Sequence, residues 1–234
     1  DQIPHHFAAW QMFGHPLLEA IPDIDNTQLF VIVGGNPLVS NGSMMTVPDV
    51  GNRLKAIQKR GGKVIVIDPR RTETAEKADQ HIFINPGSDS WLFAGILKHI
   101  FNEGLDNLAH LEAYTDGLAI VKKSIEAIDF DTVEKNTGID IGTIKSLAVE
   151  IATTEKAAVY GRMGVSTQAF GGLGKWLINV INMVTGNLDK VGGLLFTKPV
   201  IDFIGNSKPK NRYNRWQSRV RKFPEFLGEL PVAC

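Results

Sequence analysis

The sequence predicts an α/β fold, a largely parallel sheet with helices on both faces, and three observations predict it. Two short, continuous apolar runs, LFVIVGG (29–35) and KVIVID (63–68), have the make-up of strands covered on both faces, as in parallel sheets. A segment of helical period separates them and ends on a glycine pair. Each run also breaks off abruptly into glycine, asparagine, aspartate or arginine, the residues of turns and of ligand contacts.

Taken in order, NPLVSNGS (36–43) reads as a loop after the first strand. From Asp49 to Arg60 the apolar Val50, Leu54 and Ile57 recur at helical spacing, and Gly61-Gly62 supplies the stop. With KVIVID as the second strand the unit is β-loop-α-β. The right-handed crossover expected of such a unit puts both strand C-termini at one edge of the sheet. Thr72 is placed to cap a short helix with Glu73 in its first turn, ahead of HIFIN (81–85) as a third strand.

PGSD (86–89) is the next turn, with Ser88 or Asp89 as N-cap of an amphipathic helix built on Trp91, Leu92, Ile96, Leu97, Ile100 and Phe101. Residues 102–142 are more mixed, with a helix near 118–128. Asp140 or Thr143 caps a further helix bearing Ile144, Leu147, Ala148 and Ile151. AAVYG (157–161) reads as a strand, the Gly-rich loop RMGVSTQAFGG comes after it, and a helix through Trp176, Leu177, Val180, Ile181 and Val184 stops at Gly186. These elements divide into a Rossmann-like domain over residues 1–154 and the start of a second α/β domain, with a basic C-terminal extension, over 155–234.

The 234 residues, 43% hydrophobic and 21% charged, suffice for one large core or two modest ones, as in a soluble globular protein. Lys plus Arg and Asp plus Glu stand at 25 each, so the overall charge points to neither nucleic acid nor an anionic membrane. The single cysteine, Cys234, excludes an internal disulfide framework and any cysteine-built zinc or iron–sulfur site within this sequence. No apolar run approaches the ~20 residues that span a bilayer, and no secretory signal pattern opens the sequence. Cytoplasmic localisation is the expectation, with the periplasm left open, and both ends read as cuts within a longer protein. From Ser207 the sequence turns basic, with Lys208, Lys210, Arg212, Arg215, Arg219, Arg221 and Lys222. A solvated extension or a surface that docks another part of the parent explains this better than nucleic acid does.

The strand ends hold the chemistry. Asp68, at the end of the second strand, is placed to accept hydrogen bonds from a ribose or purine, and Arg70 and Arg71 add planar cations suited to pyrophosphate. A capping Asp with two solvated arginines explains the same residues equally well. Gly34 and Gly35 would let a ligand approach the backbone, and Asn36 offers an amide donor and an acceptor; an unliganded tight turn uses the same residues. GGNPLVS lacks the Gly-x-Gly-x-x-Gly spacing of nicotinamide and flavin folds. A carboxylate in PGSD matches the two-donor edge of guanine, although capping alone also accounts for it. His5, His6 and His15 form no metal-ligand spacing and are expected in loop or packing roles.

In their order, GGNPLVS, GGKVIVIDPRRTETAEKADQHIFINPGSD, YGRMGVSTQ and INMVTGNLDKVGG resemble the central region of the molybdopterin oxidoreductases of dimethyl sulfoxide reductase and formate dehydrogenase type, over about residues 25–195. The resemblance implies loops that hold a molybdopterin guanine dinucleotide, two of which chelate one Mo or W. By it, Gly34, Gly35, Asn36 and Ser40 meet the phosphate or pterin end, Asp68 and Arg70 the nucleotide, and Asp89 with Gly87 and Ser88 the guanine. Arg71 assists the phosphates or stays exposed. Met163 and Gly164 belong to a later loop whose glutamine faces the second pterin; Thr167 falls at that place and Gln168 one residue later.

The resemblance further implies a 4Fe-4S cluster in an N-terminal segment, a protein metal ligand and a second cofactor cradle, all outside this sequence. The remaining domains of the parent chain and an electron-transfer subunit are the implied partners. Two-electron redox chemistry is then expected of the parent and no turnover of this part alone. Two competing readings stay open: a non-catalytic structural module like the respiratory complex I subunit that shares the fold, and a nucleotide-dependent dehydrogenase domain.

Overall fold

A computed structural model gives the fold and describes residues 2–198, 200–201, 213–219, 221–226 and 230. The chain opens with α1 (Ile3–Phe13) and β1 (Ala20–Pro22), then runs through β2 (Leu29–Val33), α2 (Pro37–Ser40), α3 (Val50–Lys59), β3 (Lys63–Ile67) and β4 (Gln80–Ile82). Four helices come next, α4 (Asp89–Asn102), α5 (Leu118–Glu126), α6 (Phe130–Thr137) and α7 (Ile141–Thr153). After them stand β5 (Ala157–Gly161), α8 (Met163–Ser166), α9 (Gly171–Val184), β6 (Leu194–Phe196), and a hairpin of β7 (Tyr213–Gln217) and β8 (Pro224–Phe226).

The mixed α/β class and the parallel sheet are as the apolar runs predict. Four strands pair in the order β4-β3-β2-β5, all parallel. Because successive strand residues point to opposite faces, β2 feeds two cores. Leu29, Val31 and Val33 join Ile65, Ile67 and Val159 beneath α4, α7 and α9. Phe30 and Ile32 join Val64, Val66 and Tyr160 against Val50, Leu54 and Ile57 of α3. A strand buried on both faces has no place for a polar residue, which is why the buried positions of β2 and β3 are all apolar.

Being at the sheet's edge, β5 would expose unpaired backbone groups. Asn182 of α9 covers them: its Oδ1 accepts from Val159 N at 3.0 Å and its Nδ2 donates to Val159 O at 2.9 Å, while Asn187 Oδ1 accepts from Ala157 N at 3.3 Å. This tie, and the pairing of Leu29–Val33 with Ala157–Gly161, join residues 157–184 to the first sheet and its core, across the division expected at 154/155.

Smaller expectations change too. The third strand is shorter than HIFIN, because the chain leaves the sheet after Ile82 and Asn85 N donates to Thr137 O of α6. Thr72 Oγ1 accepts from Ala75 N at 3.1 Å, a cap contact, yet residues 73–77 form turns and not a helix. The loops 36–43 and 162–170 each contain a one-turn helix, α2 and α8. Asp140 is the cap of α7, accepting from Thr143 N at 3.0 Å. In the basic C-terminal segment, 202–212 and 220 lie outside the described residues, as does Cys234. No helix among the described residues is long and apolar enough to cross a membrane.

Candidate functional site

Four loops leave the C-terminal edge of the sheet. The chain steps outward from β2 to β3 to β4, then returns to place β5 on the other side of β2, so the strand order reverses there. The crevice outside the strand ends at such a reversal is where open α/β sheets bind ligands.

The first and fourth loops cross at the base of this crevice. Gly34 takes φ +56°, and a Cβ on it would lie 2.7 Å from Val165 N; one on Gly164 would lie 2.7 Å from Gly34 Cα. Gly164 N donates to Gly34 O at 2.9 Å. The freedom expected at Gly34 for a ligand therefore serves contact with a second loop. Gly35 is buried, its α-carbon facing Arg162 and Ile32.

Asn36 joins the first loop to the second. Its Nδ2 donates to Glu73 Oε2 at 2.7 Å, and its Oδ1 accepts from Thr74 Oγ1 at 2.7 Å and Thr74 N at 3.3 Å. Thr74 Oγ1 in turn accepts from Leu38 N at 3.2 Å, fixing the start of α2, whose last residue Ser40 is half-buried. Both functions of the Asn36 amide are thus used within the protein, as the tight-turn reading allowed.

On the second loop, Asp68 Oδ1 accepts from Arg70 N at 2.8 Å, an Asx turn that points the next residues outward. Arg70 meets Glu73 Oε2 at 3.5 Å with its side chain 67% exposed, so it is drawn toward a carboxylate on the rim. Arg71 is exposed and forms no ion pair among the described residues. The third loop turns at Gly87 (φ +81°) into Ser88, whose hydroxyl donates to Asn85 O at 2.6 Å and so does not cap α4.

Asp89, the first residue of α4, is only 6% exposed. Gln168 reaches it from the fourth loop, its Nε2 donating to Asp89 Oδ2 at 2.6 Å and to Gly164 O at 3.0 Å. A Cβ on Gly87 would stand 3.6 Å from Gln168 Oε1, so the glutamine bridges two loops. Burial pushes the Asp89 carboxyl above its usual range, the Gln168 hydrogen bond pulls it back, and the charge of Asp68 pushes it up again. The two carboxylates therefore lie within electrostatic reach of one another. Met163, 45% exposed, stands at the head of the same loop.

Residues 3–221 match the family model described as molybdopterin oxidoreductase. The chain belongs to the molybdopterin oxidoreductase family. Among curated relatives of this molybdopterin chain, formate dehydrogenase H of Escherichia coli (strain K12) is 35% identical over 172 residues, covering 73% of this chain and 23% of the relative. The assimilatory nitrate reductase catalytic subunit of Bacillus subtilis (strain 168) is 27% identical over 78% of this chain and 25% of its own length. Acetylene hydratase of Syntrophotalea acetylenica is 40% identical over 46% of this chain and 15% of its own. In structure, acetylene hydratase from Pelobacter acetylenicus superposes with a TM-score of 0.68 at 26% identity, covering 79% of this chain and 24% of that one. The chain spans about a quarter or less of the length of these relatives.

Three residues at this candidate site went unselected in the sequence. Glu73 and Thr74 hold Asn36, and a TET run just after a strand end was their only signal. Arg162 comes directly after β5 and donates from its backbone N to Val33 O at 3.2 Å. A charge that closes an apolar strand, the feature that exposed Asp68, marks it too. Of the histidines, His5 is buried and His6 Nδ1 contacts Pro16 O at 2.7 Å, both packing roles. No group of three His, Cys, Asp or Glu among the described residues is arranged to hold a metal ion.

A cavity of about 370 Å³ lies at the opposite, N-terminal edge of the sheet, lined by Lys63, Gln80 and Glu150. Two of its charged groups pair, Lys63 Nζ with Glu150 Oε2 at 3.0 Å, and Asp140, which also lines it, is the cap of α7.

Proposed function

We propose that this chain supplies one cradle for a molybdopterin guanine dinucleotide carrying Mo or W, within an enzyme of two-electron redox chemistry. One observation supports the reading above others. Asp89, buried at the start of α4 with its carboxylate held by Gln168 and within reach of the charge of Asp68, is an acceptor in the crevice with lone pairs beyond the one Gln168 uses. A guanine edge presents the two adjacent donors that such a group accepts, and the N-terminus of α4 favours its charge.

Placement assigns the roles. Asp89 reads the base, and Gln168 fixes the carboxylate orientation. Asp68 accepts from the nucleotide sugar. Arg71, exposed on the rim and in no ion pair among the described residues, meets the phosphates, while Arg70 reaches them only by leaving Glu73. Gly35, Asn36 and Ser40 form the wall toward the pterin end. When bound, the metal dithiolene supplies the electron-transfer chemistry; the chain binds, orients and shields it. The 4Fe-4S cluster, the remaining parent domains, an electron-transfer subunit and a cytoplasmic setting belong to the same proposal, and nucleic acid does not.

Calorimetric titration with guanosine diphosphate tests the reading. Saturable binding that Asp89→Ala abolishes supports it, and binding of NAD in preference to a guanine nucleotide refutes it. The similarity to acetylene hydratase favours a second reading, in which the parent adds water to its substrate and transfers no net electrons. Turnover of the intact enzyme without an electron acceptor separates the two.

A further inference from the structure

Next to Arg162, at the root of the fourth loop, lies a group of polar side chains with buried atoms that the cradle does not use. Lys175 of α9 is 2% exposed, and its Nζ stands 3.3 Å from Glu19 Oε2. Asn179, 1% exposed, is one helical turn further along α9 and therefore on the same face. His5 of α1, 1% exposed, points Nε2 at Gly161 O, 3.5 Å away, at the end of β5. Arg162 is the next residue, with Nη2 donating to Ser43 Oγ at 3.3 Å. Its charge and that of Lys175 both act on His5, and those of Arg162 and Glu19 both act on Tyr160, so His5, Glu19, Arg162 and Lys175 lie within electrostatic reach of one another, and Asn179 joins them through the α9 face it shares with Lys175.

Six of their buried polar atoms have no partner among the described residues: His5 Nδ1, Glu19 Oε1, Arg162 Nε and Nη1, and Asn179 Nδ2 and Oδ1. Leaving such groups unsatisfied is costly, and native proteins rarely do. The chemistry of the six identifies what satisfies them. With Nε2 of a neutral His5 donating toward Gly161 O, Nδ1 is an acceptor. The set then holds three acceptors (His5 Nδ1, Glu19 Oε1, Asn179 Oδ1) and three donors (Arg162 Nε, Arg162 Nη1, Asn179 Nδ2). An anion would satisfy the donors and be repelled by the acceptors, and a metal cation would do the reverse. Water donates and accepts, and about two molecules, each making about three hydrogen bonds, account for six atoms.

We infer that His5, Glu19, Arg162, Lys175 and Asn179 enclose an internal water-binding site between α1, α9 and the end of β5, which positions Arg162 and with it the loop that carries Gln168. The site stands apart from the cofactor reading, since it rests on this chain's own unpaired atoms. A high-resolution crystal structure of the full chain, solved in chloride- and phosphate-containing buffer, tests it. The expected result is two or more waters within about 3.2 Å of Arg162 Nε or Nη1, Glu19 Oε1 and the Asn179 amide. Asn179→Leu gives a second readout. With water bound, the variant melts several degrees lower and amide-exchange protection over 164–168 falls. A dry cluster, chloride or phosphate on Arg162, or a variant that melts at or above the parent temperature would overturn the inference. If Asn179→Leu fails to fold, the crystal result on the unsubstituted chain decides alone.

Discussion

Asp89 is under two opposed demands. As a buried carboxylate it is costly to ionise, and its folded pKa is raised above the ordinary 3.8, first by burial and last by Asp68. Relative to a neutral residue, ionised Asp89 therefore weakens the fold above the unfolded pKa, and the cost disappears below it. Asp89→Asn should thus melt no lower than the parent at neutral pH while losing about 100-fold in affinity for guanine nucleotide, the scale of one charged hydrogen bond. Thermal melts beside calorimetric titration check both halves. His5 behaves oppositely. Burial, then the charge of Lys175, lower its pKa to about 3, aided by Arg162 and His6 and resisted by the Gly161 carbonyl. A histidine lowered in the fold contributes stability that is whole above about 6.5 and lost as pH falls toward 3, with a slope of up to about 1.4 kcal/mol per pH unit. Denaturant unfolding between pH 7 and 4 should show this slope in the parent and a flatter one in His5→Gln.

At the level of elements, the glycine crossing of the first and fourth loops holds the crevice together. Gly34→Ala places a Cβ 2.7 Å from Val165 N at a left-handed φ, so neither backbone can yield cheaply. A loss of about 2–4 kcal/mol in unfolding free energy is expected, measured by denaturant titration. Asn182→Leu removes the side chain that pairs both backbone groups of Val159, and rapid amide exchange at Val159 should report the opened edge. Much at this scale is legible in the sequence. The Val and Ile runs give β2 and β3, the spacing of Val50, Leu54 and Ile57 gives α3, and Asp140 marks the start of α7. Pairing between distant segments escapes it. Period reveals that Ala157–Gly161 is a buried strand but not that its neighbour is β2, and no local signal links Gln168 to Asp89 across 79 residues. The turns at 73–77 escape as well, because a cap residue such as Thr72 serves a turn as readily as a helix.

Over the whole molecule, the strand order turns separate local signals into one site. Because β2 lies between β3 and β5, the loops bearing Asn36, Asp68 and Gln168 are brought to the same edge, and β4 delivers Asp89 beside them. Membership in the molybdopterin oxidoreductase family agrees with this arrangement, and the relatives, of which the chain spans a quarter or less, differ in the reactions their names state. A shared cradle with divergent chemistry is expected if the loops bind the cofactor and other regions select the substrate. The central claim is that the crevice holds a guanylated pterin. Mass spectrometry of the small molecules released from the intact parent protein, with its metal content determined on the same sample, tests this most directly. The account predicts molybdopterin guanine dinucleotide together with Mo or W; release of NAD, or of neither nucleotide nor metal, would contradict it.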